Sequence, residues 1–556
     1  MSSQYVPVNW NRQKKLYDLM IGLGAIAALL GFAGTTLVVH PSATLETALI
    51  RGLGLTAFLG LNLILVIGPA SRLDPRFLPL LYNRRHLGVT VGLLGTAHAG
   101  FTIFQYHALG NLDPLASVLA MPGTSFPVPF EWFGIGALAI LILMAGTSHD
   151  YWLSILTPPV WKALHMLVYP AYLALLFHIG LGLLQDERHP LYLFALAGAA
   201  LGISALHLAA ALRESSRDRE PTPTDGWVDV GEAAAIAEGR ATTGLVAGER
   251  VAVFRHLDHL SCVSNVCKHQ NGPLGEGRII DGCITCPWHG YQYRPDSGTS
   301  PPPFTDTIPT FNLAVVKGRV LIDPVPNPAG TRVEPVPVKP TTVQDPSDFY
   351  VGYQPEAPTG LARFVRATVA VVFVSGLGLV VAFAVAQQTY QSASFEFGRT
   401  RVIEGVVRAH PYPMLEVSRP GTETVSRYIL AATGKWGAQA TGDRLDGQRA
   451  RISGTLAYRD NLTVLEIASA DGLGAASAPT KSGQPQGRYR LVGEIVDSKC
   501  YVGVMNPGRG ATHRGCAVRC LNGGLTPMMV VRGPGESSRH VVVTGADGRR
   551  LTHIDR

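Results

Sequence analysis

Seven stretches of this chain are apolar for long enough to cross a lipid bilayer, which takes about 20 helical residues. Six follow one another at about residues 16–39, 49–68, 87–107, 131–148, 160–184 and 190–212, and a seventh stands alone at 364–386. Residues 1–212 hold only 18 of the chain's 87 Lys, Arg, Asp and Glu side chains, so soluble character is confined to the remainder. The expected architecture is a multidomain membrane protein with a six-helix α-helical bundle, a lone seventh transmembrane helix and small all-β soluble modules. The first run follows a 15-residue polar leader without a small-residue cleavage site, and reads as an uncleaved span.

Orientation follows from positive charge, because Lys and Arg in short loops stay cytoplasmic. Arg12, Lys14 and Lys15 precede the first span, Arg72, Arg76, Arg84 and Arg85 separate the second from the third, Lys162 opens the fifth, and Arg213, Arg217 and Arg219 follow the sixth. Residues 1–15 and 213–363 are therefore expected in the cytoplasm of a bacterial-type plasma membrane, and residues 387–556 on the outer, periplasmic side. The net charge of +7 is spent at span ends rather than in a basic stripe, so no nucleic-acid partner is expected.

Residues 225–325 read as a small antiparallel β domain of short β-branched runs such as ERVAVFRH. A Pro-rich linker, 326–360, is expected to be extended. Alternation in RVIEGVV, RARISGTL and LTVLEI predicts a small closed barrel over 387–471, of the oligonucleotide/oligosaccharide-binding (OB) type, without implying that ligand. A Gly/Ser/Pro/Ala linker at 472–487 leads to a last small Cys/His-containing β unit, 487–556.

The strongest chemical signal is Cys267-Lys268-His269, then Cys286-Pro287-Trp288-His289-Gly290. A two-iron cluster of mixed ligation needs two thiolates on one iron and two imidazoles on the other, and two loops that each offer one Cys and one His supply that set. The same four ligands would also suit a zinc ion. These residues, with Gly272-Pro273-Leu274, Gly298 and Pro301-Pro302-Pro303, resemble the Rieske iron–sulfur family. The resemblance implies a 2Fe-2S cluster on Cys267, Cys286, His269 and His289. Gln270-Asn271-Gly272 and Trp288 stand where the respiratory type has its bridging disulfide, so the form is similar to the ferredoxin and oxygenase type. Cys262 and Cys283 read as small hydrophobes rather than a disulfide in a reducing compartment.

Histidine at membrane depth is costly and usually functional. His98 lies in GTAHAGF of the third span, and His165 and His178 lie in the fifth. His98 is 13 residues past Arg85 and His178 is 16 past Lys162 in spans of the same direction, so the two reach one depth and are expected to share a b-type haem iron. His165 lies about 20 Å below His178, at the level a second haem would take, although positions 13 apart face about 140° away from each other on an ideal helix. Arg84-Arg85-x-Leu87-Gly88, His98 and the two later histidines resemble the ferric-reductase-like transmembrane family over about 16–212, which implies haem and transmembrane electron transfer. No flavin or nicotinamide motif follows, and the Rieske region stands in that module's place.

The third constellation is Cys500, His513, Cys516 and Cys520, which can make a Cys₃His metal site or a disulfide with one Cys left over. Together these features predict a membrane oxidoreductase or electron-transfer component between the cluster and haem. Redox proteins on either side or a quinone would be its partners. The alternative is a redox sensor or assembly protein in which the cluster reports redox state and the bundle is structural.

Overall fold

The computed structural model describes residues 12–119, 128–149, 152, 155–156, 158–217, 226–269, 271–288, 290–341, 349–351, 354, 356–388, 393–418, 421, 424–476, 486–532 and 538–551. Among them six helices are long and apolar enough to cross a membrane: Lys14–Val39, Leu45–Leu73, Arg84–His107, Val160–Asp186, Pro190–Ser215 and Thr359–Val385. A shorter apolar helix, Phe130–Gly146, takes the fourth place in order; its 17 residues rise about 26 Å.

The fifth span is built from two pieces, Pro158–His165 and Val168–Leu181. Pro170 has no N–H to give the Met166 carbonyl and its ring crowds that carbonyl, so a regular helix cannot run through the junction. The break frees His165 and His178 from the angle an ideal helix would impose. Leu61, Leu65, Val91, Tyr172 and Ile203 form the centre of the bundle. The seventh span lies against the first and sixth through Phe32, Tyr192, Val380, Phe383 and Ala384.

The β domain after the sixth span contains three sheets. Val228–Glu232, Arg319–Ile322 and Leu313–Val316 form one. Ala241–Val246, Glu249–His256 and His259–Ser264 form the meander of the second. Arg278–Ile280, Cys283–Thr285 and Gln292–Tyr293 form a small third sheet that carries the metal-ligand loops. The first part of the Pro-rich linker is a strap on this domain rather than a free tether. Val336–Pro337 pairs with His259–Leu260, and the buried guanidinium of Arg255 is hydrogen-bonded by the carbonyls of Ala233 and Lys339.

After the seventh span, Arg401–Arg408, Met414–Ser418, Val425–Ala431, Gln448–Arg459 and Leu462–Ala475 close into a five-stranded barrel in the order 1-2-3-5-4-1, with a helix, Gln439–Leu445, between strands three and four. The parallel pairing of Val425–Ala431 with Leu462–Ala475 completes the OB connectivity. The last unit, a sheet of Glu494–Asp497, Pro527–Arg532 and Ser538–Val542 with the helix Arg514–Asn522, is not independent of the barrel. Ile429, Ala431, Ala457 and Val464 of the barrel share one core with Val496, Cys500, Tyr501, Cys516 and Cys520.

The two β regions sit at opposite ends of the bundle. At one end Glu214 lies between Arg72 of the second span and Arg250 of the β domain, at 3.5 and 3.1 Å. At the other, the Thr47 hydroxyl donates to the Asn506 carbonyl at 2.8 Å, and Asn506 donates back to the Ser42 carbonyl at 2.6 Å. An ion pair of Arg51 with the buried Glu187, joined by Gln387, ties the span ends together there.

Candidate functional site

The two ligand loops of the small sheet are built alike. In the first, Asn271 N–H donates to the Cys267 carbonyl at 2.7 Å and Cys267 N–H to the Gly272 carbonyl at 2.9 Å. In the second, Gly290 N–H donates to the Cys286 carbonyl and Cys286 N–H to the Tyr291 carbonyl, at 2.9 and 2.8 Å. Each loop turns on a residue of positive φ at the same place, Asn271 at +57° and Gly290 at +74°, where only small or side-chain-bonding residues are at ease. The sequence spacing thus becomes a near two-fold pair of loops, each presenting a buried thiol, Cys267 and Cys286.

Surrounding groups hold these ligands. Tyr293 Oη lies 3.7 Å from Cys267 Sγ and accepts from Lys268 N–H at 2.9 Å. Tyr291 stacks on His269 with ring centres 5.3 Å apart, and its hydroxyl, bonded to Asp306, is pushed up in pKa by burial and that bond. A Cβ at Gly272 would come within 2.8 Å of Cys286 Sγ, so glycine is what lets one loop close over the other's thiol. His289 lies outside the described residues; Cys267, Cys286 and His269 are of the donor types a mixed thiolate–imidazole cluster requires. Cys262 is buried in the sheet core, Cys283 is half-buried, and neither forms a disulfide.

Trp288, inside the second loop, gives this site its position. Its side chain packs both in the domain core and against Ile67, Leu78, Leu81 and Leu87 at the end of the membrane bundle. The ligand loop itself thus touches the bundle, beside the Arg250–Glu214 contact.

Within the bundle His98 and His178 come together, with ring centres 6.3 Å apart and planes at 85°. His98 Nδ1 pairs with the Ile50 carbonyl at 2.9 Å and His178 Nδ1 with the Phe130 carbonyl at 3.0 Å, which leaves Nε2 of each as the ligand atom. An imidazole nitrogen binds a metal at about 2.0–2.1 Å and lies about 1.1 Å from its ring centre, so two rings across one ion have centres about 6.3 Å apart. The separation of the ring centres therefore matches that of two imidazoles on either side of one metal ion. Glycine seats both rings: a Cβ at Gly54 would lie 3.1 Å from His98 Nδ1, and one at Gly134 would lie 2.7 Å from His178 Nδ1. His165 is placed differently, stacked on Trp161 at 3.8 Å with Nδ1 3.0 Å from the Trp161 carbonyl. At its level His86 Nδ1 pairs with Asp18 at 2.7 Å.

The C-terminal constellation also assembles. Cys500, Cys516 and Cys520 have Sγ atoms mutually 3.8 Å apart, and His513 Nε2 lies 3.1 Å from Asp497 Oδ2. Hydrogen bonds from Cys500 and Cys520 hold the Cys516 thiol well below the usual thiol range. Burial opposes protonation of His513, but Cys516 and Asp497 outweigh it and its pKa is raised. Asp497 and Trp288 carry roles that the motif spacing does not assign. An Asp three residues before a candidate ligand Cys, and an aromatic residue inside a ligand box, are the sequence features that mark them.

Residues 226–312 match the Rieske [2Fe-2S] domain family. The anthranilate 1,2-dioxygenase ferredoxin subunit of Burkholderia cepacia is 35% identical over 82 residues, 14% of this chain and 74% of that subunit. The chain belongs to the Rieske family. Residues 53–176 of the same chain match the ferric reductase like transmembrane component family. Cholesterol 7-desaturase nvd 1 of Ciona intestinalis is 30% identical over 101 residues, and this chain spans 22% of that protein's length and 18% of its own. Among solved structures, the ferredoxin of carbazole 1,9a-dioxygenase from Nocardioides aromaticivorans is similar over 18% of this chain and 100% of that one, at 24% identity and TM-score 0.18. This Rieske protein is therefore a multi-pass membrane redox protein with a 2Fe-2S domain and a ferric-reductase-like span region.

Proposed function

We propose that this protein transfers electrons between its Rieske domain and the opposite face of the membrane by way of a b haem held by His98 and His178. When bound, the cluster and the haem each supply a one-electron couple. Cys267 and Cys286 would hold one iron of the cluster, His269 and His289 the other. Tyr293, bonded near Cys267 Sγ, would tune its thiolate. The Ile50 and Phe130 carbonyls fix the tautomer and orientation of the two haem-ligand rings. Trp288 presses the ligand loop onto the bundle, so the domain's redox end faces the membrane. The observation that carries the reading is the His98–His178 pair, two rings from different spans at the separation one shared ion demands.

The basic residues support a cytoplasmic Rieske domain. Arg72, which meets Glu214, and Arg213, which donates to the Leu73 carbonyl, gather at the end where that domain docks. Cys introduced at the exposed Lys317 of the Rieske domain and at the exposed Arg490 of the C-terminal region reads the topology. An impermeant thiol reagent on intact cells should label position 490 and spare 317, and the reverse would invert the topology. Haem is tested directly: the purified protein should show the absorption of a low-spin b haem together with the rhombic spin-resonance signal of a reduced Rieske cluster. A cluster signal without haem would overturn the reading.

A further inference from the structure

The last small unit holds a site that electron transfer through the bundle does not use. Cys500 stands at the head of the turn Cys500–Val504, while Cys516 and Cys520 lie one turn apart on the helix Arg514–Asn522, so that both point from the same face. His513 is the residue just before that helix. All four are buried, the most exposed at 4%.

The distances discriminate between uses. A disulfide needs sulfurs about 2.05 Å apart, and all three thiols are free with Sγ atoms 3.8 Å apart on every side of the triangle. A tetrahedron whose centre lies about 2.3 Å from each sulfur, the zinc–thiolate length, has edges of about 3.8 Å. The three sulfurs thus already form one face of a zinc-sized tetrahedron. His513 lies on the Cys500–Cys516 side of this face: its Nε2 is engaged by Asp497, its Nδ1 is buried without a hydrogen-bond partner, and its ligand atom lies within 4.8 Å of those of Cys500 and Cys516, while Asp497 lies within the same range of Cys500 and Cys520. A carboxylate on the far nitrogen of a metal-bound imidazole is the arrangement that fixes its tautomer and raises its basicity. Asp497 is itself held, accepting from Cys500 N–H at 2.8 Å.

We infer that Cys500, His513, Cys516 and Cys520 bind one zinc ion in a closed Cys₃His site, with Asp497 as the carboxylate behind His513. Four protein ligands with no exposed position make the ion structural rather than catalytic. It joins the turn, the helix and the strand Glu494–Asp497, the elements that this unit packs into the core it shares with the barrel. The Tyr106 ring at the end of the third span lies 6.4 Å from the His513 ring, so the ion also stiffens the surface that meets the bundle. A thiolate triad selects zinc over magnesium or calcium, and one imidazole with three thiolates is not the two-His, one-Cys set of a blue-copper centre. The Met505 thioether, 3.5 Å from Cys516 Sγ, makes copper(I) the competitor to test.

The test uses the full-length protein in detergent with its iron and haem in place. Elemental analysis should find one zinc per chain beside the iron, and zinc-edge absorption should give three sulfurs at about 2.3 Å and one nitrogen at about 2.0–2.1 Å. Cys516→Ser should lower zinc to under a tenth while haem and cluster signals persist. Because that variant can misfold, His513→Cys provides a second arm: it should keep zinc and change the shell to four sulfurs. Stoichiometric copper in place of zinc, zinc that survives Cys516→Ser with an unchanged shell, or an oxidised Cys pair in freshly prepared protein would each overturn the assignment.

Discussion

At one end of the bundle the Rieske domain rests, among the described residues, on Trp288 and on Glu214 set between two arginines, contacts that are partly exposed. At the other end the C-terminal region is held through Thr47, Asn506 and Asp186, the last accepting from Ala511 N–H, Thr512 N–H and the Thr512 hydroxyl. Lys435 reaches from the barrel to the carbonyls of Gln105 and Ala108 at the end of the third span. The difference separates two tasks. A domain that brings a redox centre to a membrane and also exchanges electrons with a partner benefits from a contact that can open. A region whose Cys/His site is fully enclosed acts as a fixed cap.

The largest expected effect isolates the middle of the molecule from both ends. His98→Ala/His178→Ala should remove the proposed b haem altogether, because both imidazoles that would hold it are gone. The reduced-cluster signal at one end and the C-terminal fold at the other should stay as they were. Full haem content in the double variant would refute the ligand assignment, and loss of the cluster signal would mean that the ends are not separable. Gly134→Ala is the milder form: its Cβ would meet His178 Nδ1, displacing the ring from the Phe130 carbonyl and giving partial haem loss or a high-spin fraction.

Next comes the movable contact. Trp288→Ala removes an apolar anchor worth about 2 kcal/mol of burial, so the docking equilibrium constant of the Rieske domain should fall tenfold or more. Rapid-mixing measurement of haem reduction by a pre-reduced cluster reads this directly, with cluster content as the control. An unchanged rate would show that the loop's contact with Ile67, Leu78, Leu81 and Leu87 does not govern transfer.

How much of this could be read in the chain itself depends on the range of each signal. The Rieske loops were legible because ligands, turns and glycines lie within a few residues of one another, as Asn271 and Gly290 at matching places illustrate. The His98–His178 pair was legible because depth in a bilayer can be counted from Arg85 and Lys162. Trp288 on Leu81, Lys435 on Ala108 and the shared core of Ala431 with Cys516 were not, since contacts between residues this far apart in sequence leave no period or spacing. The barrel and the Cys/His unit were accordingly separated at the 472–487 linker, which interrupts the chain but not the core. The strap at Val336–Pro337 was hidden for a different reason: proline-rich composition describes an extended backbone and is silent on what it pairs with.

The fixed cap is then tested at Asp186. Asp186→Ala leaves two N–H groups and a hydroxyl without their acceptor at the start of a helical segment, and charge-assisted bonds of this kind are worth about 1.5–3 kcal/mol. Thermal unfolding in detergent should show a loss on the order of 2 kcal/mol, seen first in probes of the C-terminal region.

The smallest effect sharpens the contrast most. Glu214 pairs with Arg72 at 3.5 Å and Arg250 at 3.1 Å, with its side chain 37% exposed and those of the two arginines 48% and 40%. Charges so accessible to water contribute little, under about 1 kcal/mol, and salt screens them over about 8–10 Å. Glu214→Gln should therefore leave thermal stability within that margin and lower the cluster-to-haem rate only slightly. The wild-type rate should fall with added salt toward that of the variant, because both lose the same bridging charge. If Glu214→Gln instead destabilises the protein as much as Asp186→Ala, or if its rate keeps the full salt dependence, the Rieske end is no looser than the cap. The division between a contact that opens and one that does not would then have to be abandoned.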